Sequence, residues 1–232
     1  MTTAGLNFSD FSRIEVQHAI EVEVAQSSTY SVSLSVQNIN VKDVKVSKEG
    51  DKLKIGRKMT PLSVLKAPLA KIKVSITMPN LLELTLSGAS HGTVRGFSSA
   101  NDFSLNLSGA SHIEIGSMAV GKLKVELSGA SRVAGKAEAA GNAEFHLQGA
   151  SRVKLDGSAK DVAIDGSGAS HAELYNFPIH NASIKLSGAS HGELNLNGKL
   201  DAKLSGASRL TYVGNPVMGS MDITGASSFT KA

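Results

Sequence analysis

The tripeptide Gly-Ala-Ser occurs eight times in this chain, with its glycines at Gly88, Gly109, Gly129, Gly149, Gly168, Gly188, Gly206 and Gly225. Successive glycines are 21, 20, 20, 19, 20, 18 and 19 residues apart. Glycine inside a β-strand costs ~0.5–1 kcal/mol relative to alanine, so eight copies cost ~4–8 kcal/mol. That is comparable to the net stability of a whole domain, ~5–15 kcal/mol. A chain keeps such a sequence only where its geometry or its function needs it.

The residues before each glycine alternate between apolar and polar, as in Leu82 to Leu86, Phe103 to Leu107 and Leu123 to Leu127. After each serine the alternation resumes, as in His112 to Ile115, Arg152 to Leu155 and His171 to Leu174. Period-two alternation means a strand with one buried face. A turn-rich stretch follows, such as Asp156-Gly157-Ser158 or Asn197-Gly198. One unit therefore reads as strand, Gly-Ala-Ser bend, strand, turn, a short third side and return.

Units this short cannot bury their own apolar face and must stack. The closure that follows is an all-β parallel β-helix with about 20 residues per coil, each coil ~4.8 Å from the next and the eight coils spanning roughly 34 Å. A β-propeller is the rival, but its blades need ~40 residues each. At the bend, glycine supplies the unusual backbone conformation and alanine fills a narrow corner. The serines Ser90, Ser111, Ser131, Ser151, Ser170, Ser190, Ser208 and Ser227 form a stacked column, expected to hydrogen-bond to one another or to the corner backbone. Eight equivalent serines are scaffold; a catalytic serine would be singular and have one matched base.

Residues 1–80 also alternate, for example at Ile20 to Val24, Tyr30 to Val36 and Ile72 to Met78, but lack the repeat. They are expected to be an irregular N-terminal β cap packed on the solenoid of residues 81–232, because a solenoid must hide its open edge. Together they make one continuous structural domain. Residues 58–68 read as a mobile loop. The C-terminus, ending soon after Phe229, carries no comparable cap, and a partner subunit is expected to cover it as a homo-oligomer contact.

Composition narrows the function. The 232 residues include no cysteine, so disulfides and thiolate sites are excluded. The excess of +4 lies in residues 1–80, with eleven Lys/Arg against seven Asp/Glu, whereas residues 81–232 carry thirteen of each. The repeat region thus lacks the footprint of a nucleic-acid binder, and no apolar run is long enough to span a membrane. The first ten residues lack the apolar stretch of a signal peptide. Either the chain is cytoplasmic or its leader has been removed, and removal is the reading adopted.

Stacking turns repeats into surface columns. The residue after each Gly-Ala-Ser runs His91, His112, Arg132, Arg152, His171, His191, Arg209 and Ser228. Two positions on, facing the same way, stand Thr93, Glu114, Ala134, Lys154, Glu173, Glu193, Thr211 and Thr230. The cationic column is a candidate ligand surface. His171, Glu173, His191 and Glu193 form a weak candidate for a divalent cation, set against a solvated face in which the columns simply pair. The only adjacent carboxylates suited to glycosidase spacing are Glu173 and Glu193, and no long loop builds a pocket around them. No cofactor is expected.

The segments FSRIEV (Phe11 to Val16) and ITMPNLLELTLSGAS (Ile76 to Ser90), with the series of SGAS motifs that follows, resemble the bacterial family called putative auto-transporter adhesin, head GIN domain. The resemblance covers residues 9–230. It implies a right-handed single-stranded β-helix, an envelope or secreted location and an adhesive role, and it brings no catalytic residues. The expected protein is a non-enzymatic, extracytoplasmic surface module that binds a polysaccharide or cell-surface ligand. A self-assembling structural module and a polysaccharide-active enzyme are the alternatives.

Overall fold

Alternating sequences give strands with one apolar face, and here two such sheets close face to face. The structure is a computed structural model that describes residues 2–58 and 70–232. Apart from Lys58, the expected loop over residues 58–68 lies outside the described residues. Twelve strands form one sheet (sheet 1) and eleven the other (sheet 2). Each repeat gives one strand to each sheet: Leu123–Leu127 lies in sheet 2, and after the corner Arg132–Ala139 lies in sheet 1. Successive coils pair in parallel with like on like, as in Val125↔Phe145, Leu127↔Leu147, Arg132↔Arg152 and Val133↔Val153. The expected all-β parallel solenoid is the architecture found.

The eight corner glycines superimpose along the stack, with φ between +70° and +80°. Each corner alanine from Ala110 to Ala226 donates its amide to the glycine carbonyl of the preceding coil at 2.7–2.8 Å. A Cβ on Gly129 would lie 2.5 Å from the Gly109 carbonyl oxygen, so the corner excludes side chains both by conformation and by stacking distance. The serine column is buried from Ser90 to Ser208. Ser90, Ser111, Ser131, Ser190 and Ser208 each donate to the carbonyl three residues earlier, at 2.7–2.9 Å. Ser170 instead donates to Ser190 Oγ at 3.1 Å. The reason is local: Gly166 replaces the leucine of neighbouring coils, and Ser170 Oγ lies 3.0 Å from where its Cβ would be.

The short third side is not a separate sheet. It is the far half of the sheet 1 strand, bent in mid-course: His112–Val120 shifts register between Ile115 and Met118, and His171–Ile179 between Leu174 and Pro178. Two glycines sit on this bend with φ of +133° (Gly135) and +130° (Gly157). A Cβ there would fall 1.9 Å from the Ile115 oxygen and 1.8 Å from the Ala137 oxygen, tighter than at any Gly-Ala-Ser corner.

At the N-terminal end the spatial order departs from chain order. Arg13–Val16 and Glu21–Gln26 form a coil in parallel register with Glu83–Leu86 and His91–Ser98. Its corner uses no glycine: His18 and Ala19 take φ of +68° and +57°, at a cost of roughly 1–2 kcal/mol per residue. Beyond it stack Lys52–Arg57 and Lys71–Met78, still parallel to Arg13–Val16 and Glu21–Gln26 respectively. Antiparallel strands then end the stack, Val44–Glu49 on sheet 2 and Ser31–Gln37 followed by Thr2–Leu6 on sheet 1. On sheet 2 the edge strand carries Lys45 and Lys48, and on sheet 1 it is only five residues long, both of which blunt an edge that would otherwise template further strands.

The core is a slab of interior columns with Phe11, Phe103, Phe145 and Phe177 among its largest buried side chains. Phe145 and Phe177 meet edge to face, with ring centroids 6.4 Å apart. At the C-terminal end those columns run out: Tyr212 stacks on Phe229 at 4.9 Å, while Val217, Met218 and Ile223 are 70%, 42% and 42% exposed.

Candidate functional site: a cationic column on sheet 1

Because register is like on like, the residue after each corner serine forms an unbroken outward row. His91, His112, Arg132, Arg152, His171, His191 and Arg209 pair in that order across seven consecutive strands. At ~4.8 Å per step the row runs about 29 Å. The imidazoles come in pairs, His91 with His112 at 5.8 Å between ring centroids and His171 with His191 at 5.9 Å. Ser228 closes the row on the last strand, paired to Arg209.

The neighbouring row holds Thr93, Glu114, Ala134, Lys154, Glu173, Glu193 and Thr211, in the same pairing order. Glu173 takes Arg152 Nε at 3.4 Å and Lys154 Nζ at 3.5 Å. Glu193 faces His191 Nε2 at 3.3 Å. Glu173 is therefore claimed by cations of the adjacent strand and Glu193 by the ring of His191, and the two carboxylates do not converge with His171 and His191 on a common point. Among the described residues no group of three or more His, Asp or Glu is arranged to hold a metal ion. The same geometry turns Glu173 toward Arg152 and Lys154, and Glu193 toward His191.

Burial, then the charges of His91 and Arg132, holds the His112 imidazole below its ordinary value, with Glu114 acting the other way. Burial, then Arg152 and His191, does the same at His171 against the opposing pull of Glu173 and Glu193. Protonation of these two rings is thus disfavoured in the folded chain. Their contribution to stability is intact above the ordinary imidazole value, about 6.5, and is lost as pH falls below it.

One member of the face was not evident from the repeat. Tyr175 lies two positions beyond Glu173 and faces the same way; burial, then the charge on Glu193, raises its phenol, against a hydrogen bond with Thr211. The signal was its place in the alternation, but the coils vary at that position. The opposite face, on sheet 2, carries the row Thr85, Asn106, Glu126, His146, Asp165, Lys185, Lys203 and Asp222, in register and with mixed charge. A shallow groove there runs over Asn106, Glu126, His146 and Gln148. No helix among the described residues is long and apolar enough to cross a membrane.

Solved structures share the whole architecture. A protein of Parabacteroides distasonis described as a putative lipid binding protein superimposes with a TM-score of 0.87 at 17% identity, covering 100% of this chain and 96% of its own. A putative adhesin from Parabacteroides merdae gives 0.87 at 16% identity, covering 100% and 95%. One from Bacteroides fragilis gives 0.71 at 17%, covering 100% and 96%. At such identities the likeness concerns the fold. No curated protein matches the chain. The family described as putative auto-transporter adhesin, head GIN domain, matches residues 10–216, and the chain belongs to that family.

Proposed function

We propose that the chain is a non-enzymatic, extracytoplasmic surface module that binds a cell-surface or polysaccharide ligand across the outer face of sheet 1, in the manner of an adhesin. The observation that carries this reading is the basic row, four histidines and three arginines on seven consecutive strands. Rigid repetition supplies many weak, equivalent contacts that add through multivalency, so no deep pocket is required. The family description and the adhesin descriptions of two structural neighbours support the same reading, including its location outside the cytoplasm. The test is binding of the full chain to arrays of polysaccharides, matrix components and bacterial and host cell surfaces. Capture is expected, with loss in the triple variant R132Q/R152Q/R209Q. Failure to bind any member of the array, or equal binding by the variant, would overturn the reading.

A second reading rests on the exposed hydrophobic residues of the last coil. Exposed Val217, Met218 and Ile223, on an edge strand with unpaired backbone groups, favour end-to-end contact with a second copy of this chain. Light scattering at rising concentration is expected to show dimers, reduced by V217K/I223K. A strict monomer at high concentration eliminates this version.

A further inference from the structure

On the face just described, the charge balance depends on four imidazoles. With the histidines neutral, the two rows hold four permanent cations (Arg132, Arg152, Lys154 and Arg209) against three carboxylates, Glu114, Glu173 and Glu193. The face is then close to neutral. With His91, His112, His171 and His191 charged, eight cations oppose the same three carboxylates. Histidine is the side chain that makes this change between about pH 5 and 8.

The row runs straight along the solenoid axis, and its charges recur at each coil, about every 4.8 Å. A line of regularly repeated cations suits a linear polymer with regularly repeated anions. Three anionic polymers or assemblies could meet it, and other features of the face separate them. Single-stranded nucleic acid needs aromatic platforms for its bases, and the two rows hold no aromatic ring other than histidine, Tyr175 lying two positions beyond them. An anionic membrane surface favours apolar residues that insert beside the basic ones, and among the described residues the large exposed hydrophobics lie at the C-terminal end. A carboxylated or sulfated polysaccharide needs neither.

We infer that the His/Arg row of sheet 1 is a proton-gated binding site for a linear acidic polysaccharide laid along the solenoid axis. The inference rests on the adhesin-like reading above and adds its ligand class and its regulation. The gate is set by what faces each ring. His91 lies between Glu21, which is paired to Lys73 on the next strand, and His112, with Thr93 on its own strand and Glu23 and Glu114 diagonal to it. His112 lies between His91 and Arg132, beside Glu114, with Thr93 and Ala134 diagonal. His171 lies between Arg152 and His191, beside Glu173, with Lys154 and Glu193 diagonal. His191 lies between His171 and Arg209, beside Glu193, with Glu173 and Thr211 diagonal. The cationic neighbours that oppose protonation in the free chain are the charges a polyanion would screen. Binding therefore draws protons onto the row, and by linkage lower pH tightens binding.

Calorimetry of the full chain with polygalacturonate and with dextran sulfate, at pH 5.5 and 8.0 in buffers of different ionisation heat, tests the inference. The expected result is affinity higher at pH 5.5 by about tenfold or more, as four weak exposed pairs compound. Proton uptake accompanies binding, and affinity falls as salt is raised. H91Q/H112Q/H171Q/H191Q is expected to lose that gain at pH 5.5, whereas K185Q/K203Q on the opposite sheet binds as the parent does. Equal affinity at the two pH values, no proton uptake by the parent chain, or equal binding of neutral dextran, DNA or anionic vesicles would overturn it. Capture of an uncharged ligand that is lost in R132Q/R152Q/R209Q would sink this inference alone. An array on which nothing binds would sink the adhesin-like reading with it.

Discussion

Replacing Gly157 with alanine is expected to cost about 3–5 kcal/mol, at the far end of what single substitutions do. Two independent terms add at this position. The backbone has φ of +130°, where an L side chain is rarely found, and the new Cβ would lie 1.8 Å from the Ala137 carbonyl oxygen in the preceding coil. That oxygen belongs to a strand held on both sides, so neither partner can retreat without breaking the ladder. Gly96 separates the terms, since its φ is +76° but nothing lies within 4 Å of its Cβ position. Gly96→Ala carries the conformational cost alone, roughly 1–2 kcal/mol. Urea unfolding of both variants checks the pair. Equal losses would mean that contact between coils at the bend contributes nothing.

Truncation of Phe145 to alanine is the second large effect, about 3–5 kcal/mol. The ring is wholly buried and meets Phe177, contributed to sheet 1 two corners further along the chain. In a stack one coil deep at every level, the cavity has no second core layer to collapse into. The comparison is Phe229→Ala, half-buried on the last strand against Tyr212, where a smaller loss is expected because solvent already reaches the ring. Denaturant midpoints with unchanged slopes would confirm that stability alone has moved. Similar losses at both sites would contradict the picture of an interior sealed around Phe145 and reached by solvent at Phe229.

The eight Gly-Ala-Ser corners were legible because the same three residues mark them and because alternation on either side fixes which face is buried. Column membership followed directly: once Gly109 stacks on Gly129, His112 must stand beside Arg132. The bend at Gly135 and Gly157 was not legible as a single feature, since adjacent coils reach it with different residues, Ile115 in one and Gly135 in the next. Nor was the corner at His18-Ala19, where non-glycine residues hold a left-handed conformation that nothing local announces. The placement of Lys52–Arg57 and Lys71–Met78 outside the first coil depends on long-range pairing, which alternation leaves open. On the binding face, the rows could be written down from spacing. That Glu173 turns to Arg152 and Lys154 is a matter of side-chain direction, which spacing does not determine.

The corner ladder, in which each alanine amide from Ala110 to Ala226 reaches back to one glycine oxygen, bonds each winding only to its immediate neighbours. Such a rule contains no reference to total number. The protein is therefore built like a ruler: a gene segment of some twenty codons, duplicated or lost, would lengthen or shorten the graduated face by one division while both end fittings stayed as they are. Reach along a target is, for this architecture, inheritable separately from what each division grips.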